Sequence, residues 1–199
     1  MDNGHGIVNH SFDNIISLRN LFFAWKEFER GKKNREDVAE FGLNLEDDIF
    51  KLHDELKNQT YCHSPYYTFH IFDPKHRLIS KATVRDRIVH YLVFKELCRV
   101  FDPSFIYHSY SFRLEKGTHL AVVNGEKALR KISRNYRGQA FILKCDIKKF
   151  FPSIDHQKLL SIIKNKITDP RFLWLIEEII SSFVSPVDKI PEREIERVK

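Results

Sequence analysis

Apolar positions recur at helical spacing through the first sixty residues. Leu18, Leu21, Phe22, Trp25 and Phe28 stand three and four apart. That gathers one apolar stripe and predicts a helix over 12–30. Gly31, followed by Lys32 and Lys33, marks its stop. A second stripe of Leu45, Ile49, Leu52 and Leu56 predicts a helix over 44–58, with Asn44 as its cap. Asp47 and Asp48 fall in the first turn of that helix, where carboxylates face the positive end of the helix dipole.

The period changes near residue 66. Residues 66–72, Tyr-Tyr-Thr-Phe-His-Ile-Phe, are rich in strand formers. Asp73-Pro74-Lys75-His76 reads as a turn, and residues 77–82 alternate as a partner strand. Together they predict a hairpin with a basic tip. A long helix is expected over 84–101, ended by Pro103. Residues 104–116 are irregular and interleave aromatic with basic side chains. A helix over 118–134 follows Gly117. Residues 139–146 predict a strand, because Phe141-Ile142-Leu143 is a continuous apolar run of the kind covered on both faces of a sheet. Helices are expected over 154–166, capped by Ser153, and over 171–183. The tail, 186–199, is charged and shows no stripe along its length. This order of elements makes the chain α+β, without internal repeats.

Composition adds two constraints. With 42% hydrophobic and 30% charged residues, the chain supports a packed core and is not of the disordered class. No run approaches the roughly 18 apolar residues of a membrane span, and the polar start is unlike a signal peptide. Cys62, Cys98 and Cys145 have no zinc-binding spacing and suit reduced thiols of a cytoplasmic protein. The net charge of +6 is unevenly spread. Residues 1–60 hold eight Lys/Arg and twelve Asp/Glu, whereas the remainder holds 25 and 15. The excess of cations after residue 60 suits a polyanionic partner.

Asp146 is the candidate for chemistry. It stands where the expected strand meets a polar turn, a rigid mount for a divalent-metal ligand. Lys148 and Lys149 beside it raise the positive charge expected near phosphates. An Asp that merely forms the turn or a salt bridge fits the same position, so the carboxylate alone does not establish a metal ligand.

The neighbouring residues carry a resemblance. Asp146-Ile-Lys-Lys-Phe-Phe-Pro-Ser-Ile-Asp155-His156 resembles the first catalytic motif of reverse transcriptases from bacterial retroelements. Thr83-Val-Arg-Asp-Arg-Ile-Val89 resembles a finger motif of that family. Phe101 to Arg113, ending in Ser-Tyr-x-x-Arg and continued by Lys116-Gly117-Thr118-His119, resembles the next one. Leu21-x-x-Ala24-Trp25 and residues 72–79 are similar to the diversity-generating retroelement enzymes, which stand beside group II intron-like enzymes. The resemblance covers about residues 20–183.

The resemblance implies an RNA-directed DNA polymerase, a nucleotidyltransferase using Mg²⁺. It implies right-hand polymerase architecture: a helical extension (1–62), fingers (63–138), a partial palm with an incomplete sheet (139–183) and a charged tail (184–199). Asp146 corresponds to a catalytic metal ligand, and the Ile147 carbonyl to a further metal contact. Arg77 and Lys75 correspond to triphosphate contacts. Phe151 corresponds to the aromatic that excludes a 2′-hydroxyl, with a core aromatic as its other reading. Arg87 is either a template contact or the partner of Asp86 in a structural ion pair. Tyr110, Arg113 and Lys116 suit RNA contacts or surface salt bridges. The implied partners are template RNA, a primer, deoxynucleotide triphosphates and, for the diversity-generating subgroup, a small basic accessory protein. The 199 residues contain no Tyr-x-Asp-Asp. The expectation is therefore a chain truncated before its active site is complete and inactive alone, with Phe141, Leu143 and Ile147 left uncovered. A non-catalytic RNA-binding module, one half of a split polymerase completed by a missing C-terminal half, and a defence-associated relative are the rival expectations.

Overall fold

The computed structural model describes residues 11–72, 74, 76–148 and 150–183. Eight helices and one two-stranded sheet are found among them, which makes the chain α+β. The expected tail, Asp73 and Lys75 of the expected turn, and Lys149 lie outside the described residues. Among the described residues no helix is long and apolar enough to cross a membrane. The chain divides into two compact units, one of residues 1–96 and 152–199 and the other of residues 97–151.

The first unit holds the apolar core. Its first expected helix is two: α1 (Phe12–Ile15) and α2 (Leu18–Glu29). The break is at Ser17, whose ψ of 146 leaves the helical region before the chain re-enters it at Leu18. The stripe survives the break because Leu21, Ala24, Trp25 and Phe28 are all buried. α3 (Glu36–Leu43) was not expected, since it buries only Val38 and shows no apolar stripe. α4 (Leu45–Lys57) matches its expectation and packs on α2. Asn44 occupies the position before α4, but its side chain makes no capping bond, contrary to the expected cap. Glu46, Asp47 and Asp48 lie in the first turn, as expected.

β1 (Tyr67–Ile71) and β2 (Arg77–Lys81) form the expected antiparallel hairpin, with Tyr67 opposite Lys81 and Ile71 opposite Arg77. α5 (Val84–Phe101) follows at the expected bounds, and a 3-10 turn at Asp102–Ser104 carries Pro103. α7 (His156–Lys164) is capped by Asp155, which accepts from the Gln157 and Lys158 N–H groups, so Ser153 is not the cap. Ser153 instead belongs to a 3-10 turn at Phe151–Ser153. α8 (Pro170–Ser182) is capped by Asp169 in the same way. In both cases an aspartate supplies the capping carboxylate: Asp155 two residues after the expected Ser153, and Asp169 where no cap was foreseen.

Under the hairpin, a buried polar network ties four segments together. Asp86 is fully buried. One carboxylate oxygen accepts from the Tyr61 hydroxyl at 2.8 Å and Arg85 Nη1 at 3.1 Å. The other accepts from the Thr83 hydroxyl at 2.6 Å and the Ser64 N–H at 3.1 Å. The Asp86 N–H donates back to Thr83 Oγ1 at 3.3 Å, a variant of the capping box at the start of α5. Burial acts to raise the Asp86 carboxyl, but the bonds from Thr83 and Tyr61, with His63 nearby, hold it below the usual carboxylate range. Glu178 of α8 accepts the His63 N–H at 2.9 Å. The His63 ring lies with Nδ1 2.6 Å from the Ser64 carbonyl and Nε2 3.0 Å from His90 Nε2. A carbonyl only accepts, so His63 carries its proton on Nδ1, and His90 donates across the ring pair.

The second unit is built differently. It contributes no apolar side chain to the buried core, and Ser133 is its one buried residue among those described. Its helix α6 (Thr118–Ile132) begins after Gly117, whose backbone stands at φ 106 and ψ −179. That conformation is accessible almost only to glycine. Gly117→Ala is expected to cost about 1–3 kcal/mol and to fray the start of α6. An open space surrounds the missing Cβ, so the cost is backbone strain and not a clash. Slower thermal recovery is not the readout; a lowered helical signal at 222 nm together with faster exchange at the first turn of α6 checks it.

Candidate functional site

The largest departure from expectation concerns the segment leading to Asp146. Residues 139–147 form no strand. Phe141 is 92% exposed and Leu143 88% exposed, so these side chains stand uncovered, as expected for an incomplete palm sheet, and the departure is the missing strand itself. A strand is completed by a neighbour that takes up its N–H and C=O groups. Among the described residues the only sheet is the hairpin, and 139–147 is no part of it. Strand propensity supplies the side chains for a sheet but not the partner.

Asp146 is therefore an exposed carboxylate on an irregular segment, followed by Ile147, 65% exposed. Among the described residues no group of three or more His, Cys, Asp or Glu stands close enough to hold a metal ion. Asp146 and the Ile147 carbonyl alone do not form a two-ion site, since each ion needs several oxygen ligands. No catalytic step follows from these residues by themselves. Phe151 opens the 3-10 turn, is exposed, and meets Phe150 edge-on with ring centroids 5.3 Å apart. It is not a core aromatic of this unit.

The aromatic and basic loop of the second unit is ordered by its own cations. Arg113 forms a fork on Asp102, with Nε at 2.6 Å from one oxygen and Nη2 at 3.2 Å from the other. Its remaining donors reach the carbonyls of Ile106 at 3.0 Å, Ser109 at 3.1 Å and Asp102 at 3.2 Å. All five N–H groups are thus engaged within the loop. The Arg113 bond holds the Asp102 carboxyl below its usual range and raises the guanidinium in turn. Lysine has no planar fork and cannot make these bonds together. Arg113→Lys is expected to open residues 102–116, seen as faster proteolysis and amide exchange there, with α5 and the hairpin unchanged.

Lys116 and Tyr110 are placed together. The Lys116 ammonium lies 3.7 Å from the Tyr107 ring centre and 5.6 Å from that of Tyr110, and donates to the Tyr107 carbonyl at 3.1 Å. Asn124 of α6 donates to the Tyr110 hydroxyl at 2.9 Å, and His108 Nδ1 lies 2.9 Å from the same oxygen. Tyr107 is exposed and stands next to a cation, an arrangement suited to a base and a phosphate. Tyr107 had no separate role in the sequence reading, although the interleaved aromatic and basic spacing contained the signal.

In the first unit, Arg77 is the first residue of β2 and is exposed, while Lys75 lies outside the described residues. Arg87 does not pair with Asp86, contrary to the expected structural ion pair. It donates to Asp37 at 2.6 Å and lies over the Phe28 ring at 4.7 Å. The neighbour Arg85 takes the Asp86 contact and also bonds Glu55. One residue along a helix turns the side chain by about 100°, which is why sequence adjacency misassigned the pair. Asp37 also takes Lys81 at 2.8 Å. Burial raises the Asp37 carboxyl, but Lys81 and Arg87 outweigh it and hold it low. A cleft of about 570 Å³ between α3 and the hairpin base is lined by Asp37, Asp48, Tyr67, Lys81 and Arg85. Both its cations already face carboxylates, so it is poorly suited to a phosphate.

A family model described as reverse transcriptase (RNA-dependent DNA polymerase) matches residues 72–198. The group II intron-encoded protein LtrA of Lactococcus lactis subsp. cremoris is 29% identical over 140 residues, 69% of this chain and 22% of that protein. A 91 kDa protein in the cob intron of Schizosaccharomyces pombe is 31% identical over 106 residues, 53% of this chain and 12% of that protein. Protein YkfC of Escherichia coli is 26% identical over 135 residues, 66% of this chain and 34% of that protein. The chain thus corresponds to between an eighth and a third of the length of these relatives.

Proposed function

The chain belongs to the reverse transcriptase family, and from that premise we propose that it forms the fingers and the opening part of the palm of an RNA-directed DNA polymerase. The observation that carries this reading is the extent of the match, from the hairpin through the Asp146 segment. Residues 63–138 are the fingers, 139–183 the first part of the palm, 1–62 a helical extension and 184–199 a charged tail. The right-hand polymerase architecture is part of this reading.

Arg77 and Lys75 hold the triphosphate of the incoming deoxynucleotide, and Phe151 lies under its sugar. Asp146 and the Ile147 carbonyl contribute to a Mg²⁺ site that further carboxylates must complete. Divalent metal is the family's general requirement, and in it the ion stabilises charge on the transferred phosphoryl group. Lys116, Tyr110 and the exposed Tyr107 contact template RNA, with Arg113 ordering their loop, and Arg87 is a separate template contact. Affinity with the diversity-generating subgroup, and with it a small basic accessory protein, rests on residues 21–25 and 72–79 alone.

The test is binding and extension of an RNA–DNA primer–template by the purified chain. Binding is expected at low salt and should weaken as salt rises, with Lys116→Ala reducing the salt slope by about one. Extension by the chain alone is not expected, because its 199 residues contain no Tyr-x-Asp-Asp. Absence of salt-dependent binding would overturn the interface, and synthesis abolished by Asp146→Ala would overturn the inactivity.

A further inference from the structure

Two exposed histidines meet across the hairpin, and we propose that they bind a divalent transition-metal ion of borderline softness, such as zinc or nickel. In the β1/β2 register His70 stands opposite Leu78 and Ile71 opposite Arg77. Alternation then puts positions 70, 72, 76 and 78 on one face and Arg77 on the other. His70 Nδ1 lies 2.7 Å from His76 Nε2. The two rings are nearly parallel, with centroids 4.7 Å apart and planes 15° apart. Phe72 stacks on His76 at 4.9 Å and restricts where that ring can sit.

Each neutral imidazole offers one nitrogen lone pair. At this separation one ring donates a proton and the other accepts it. When the donor ring takes its other tautomer, its proton passing through solvent to the far nitrogen, both near nitrogens present lone pairs and a metal ion can take them at once. A tetrahedral zinc with Zn–N of about 2.0–2.1 Å sets its two nitrogens about 3.3 Å apart. The pair reaches that bite by opening about 0.6 Å, through rotation about χ2, a soft torsion. Both side chains are exposed, so nothing buried resists the rotation. The remaining coordination positions face solvent and take water, because no third ligating side chain groups with these two among the described residues.

The chemistry separates this site from the oxygen-ligated magnesium of nucleotidyl transfer. Imidazole suits zinc, nickel and copper, whereas magnesium keeps oxygen ligands. The bound ion ties β1 to β2 beside the turn, one residue before Arg77. It therefore orders the end of the hairpin that presents Arg77 on the opposite face.

Isothermal titration of the full chain, freed of metal by chelation, with NiCl₂ and separately with ZnCl₂ tests the site. One ion per chain is expected, with affinity falling at least about tenfold in His70→Gln and again in His76→Gln. A large excess of Mg²⁺ should leave binding unchanged. Amide exchange over 67–71 and 77–81 should slow with Ni²⁺ in the parent chain and not in either variant. Equal affinity in the parent and both variants, or no heat at any Ni²⁺ concentration up to the millimolar range, overturns the proposal. Slowed exchange that persists in the variants overturns it as well.

Discussion

Asp86→Ala destabilises the first unit by about 3–5 kcal/mol, the cost of removing one partner from a buried charge network. The substitution leaves the Tyr61 hydroxyl, the Ser64 N–H, the Thr83 hydroxyl and Arg85 without their common acceptor. Each of those groups then bears a desolvation cost that the carboxylate now offsets. The loss is a large fraction of the roughly 5–15 kcal/mol by which a domain is stable. Asp86→Asn recovers only part of it, because the amide nitrogen must face two donors at whichever oxygen position it takes. Urea unfolding followed by tryptophan fluorescence reads the change, since Trp25 lies in the same core. A fall in midpoint with an unchanged slope is expected. A midpoint within a few tenths of a molar of the parent would show that Asp86 is dispensable.

Acidification has the second largest effect. Burial of His90, with His63 against it, pushes the His90 ring down from its ordinary 6.5 to about 4. The unfolded chain therefore takes up this proton at a higher pH than the folded one. Stability is fully present above about pH 6.5 and declines as the pH falls toward 4, by up to about 3 kcal/mol. His90 already donates its Nε2 proton to His63, so the added proton goes to His90 Nδ1, and it is burial of the resulting cation, with His63 against it, that sets the sign. Asp86 acts in the same direction at lower pH. Its folded carboxyl is held low, so its contribution is present above the unfolded value of 3.8 and is lost as pH falls through the folded one. Thermal melts at pH 7.5, 6.0 and 5.0 should show midpoints falling together with pH. His90→Phe should remove most of the slope between pH 6.5 and 4.5, and an unchanged slope in that variant would assign it elsewhere.

Much of the first unit was legible because its signals are local. The stripe of Leu45, Ile49, Leu52 and Leu56 needs only helical spacing to be seen, and Ile49, Leu52 and Leu56 are buried. The hairpin and α5 were readable for similar reasons: strand formers on either side of a turn, then a long helix stopped at a proline. α3 escaped notice because one buried valine makes no pattern, and its hold comes from Asp37 reaching Lys81 and Arg87, both far along the chain. The same distance hid the roles of His63, His90 and Glu178. The Thr83-x-x-Asp86 spacing did contain a signal for the buried carboxylate, a capping box read instead as an Asp–Arg pair.

The candidate site divides along the same line. The motif residues around Asp146, Arg77 and Phe101–Arg113 place the chain in its family, because order and identity of residues are properties of the sequence. Whether Arg113 faces RNA or its own loop was not. Five donors spent on Asp102, Ile106 and Ser109 are a matter of how one loop closes in space. Asp146, singled out by its neighbours, shows the boundary most clearly. The sequence by itself determined the family, the hairpin and the helical stripes, all set by residues near one another in the chain. Only the tertiary structure decided that residues 139–147 form no strand and that, among the described residues, no group of three or more potential metal ligands assembles. A strand and a metal site both require partners from elsewhere, and propensity at one segment cannot supply them.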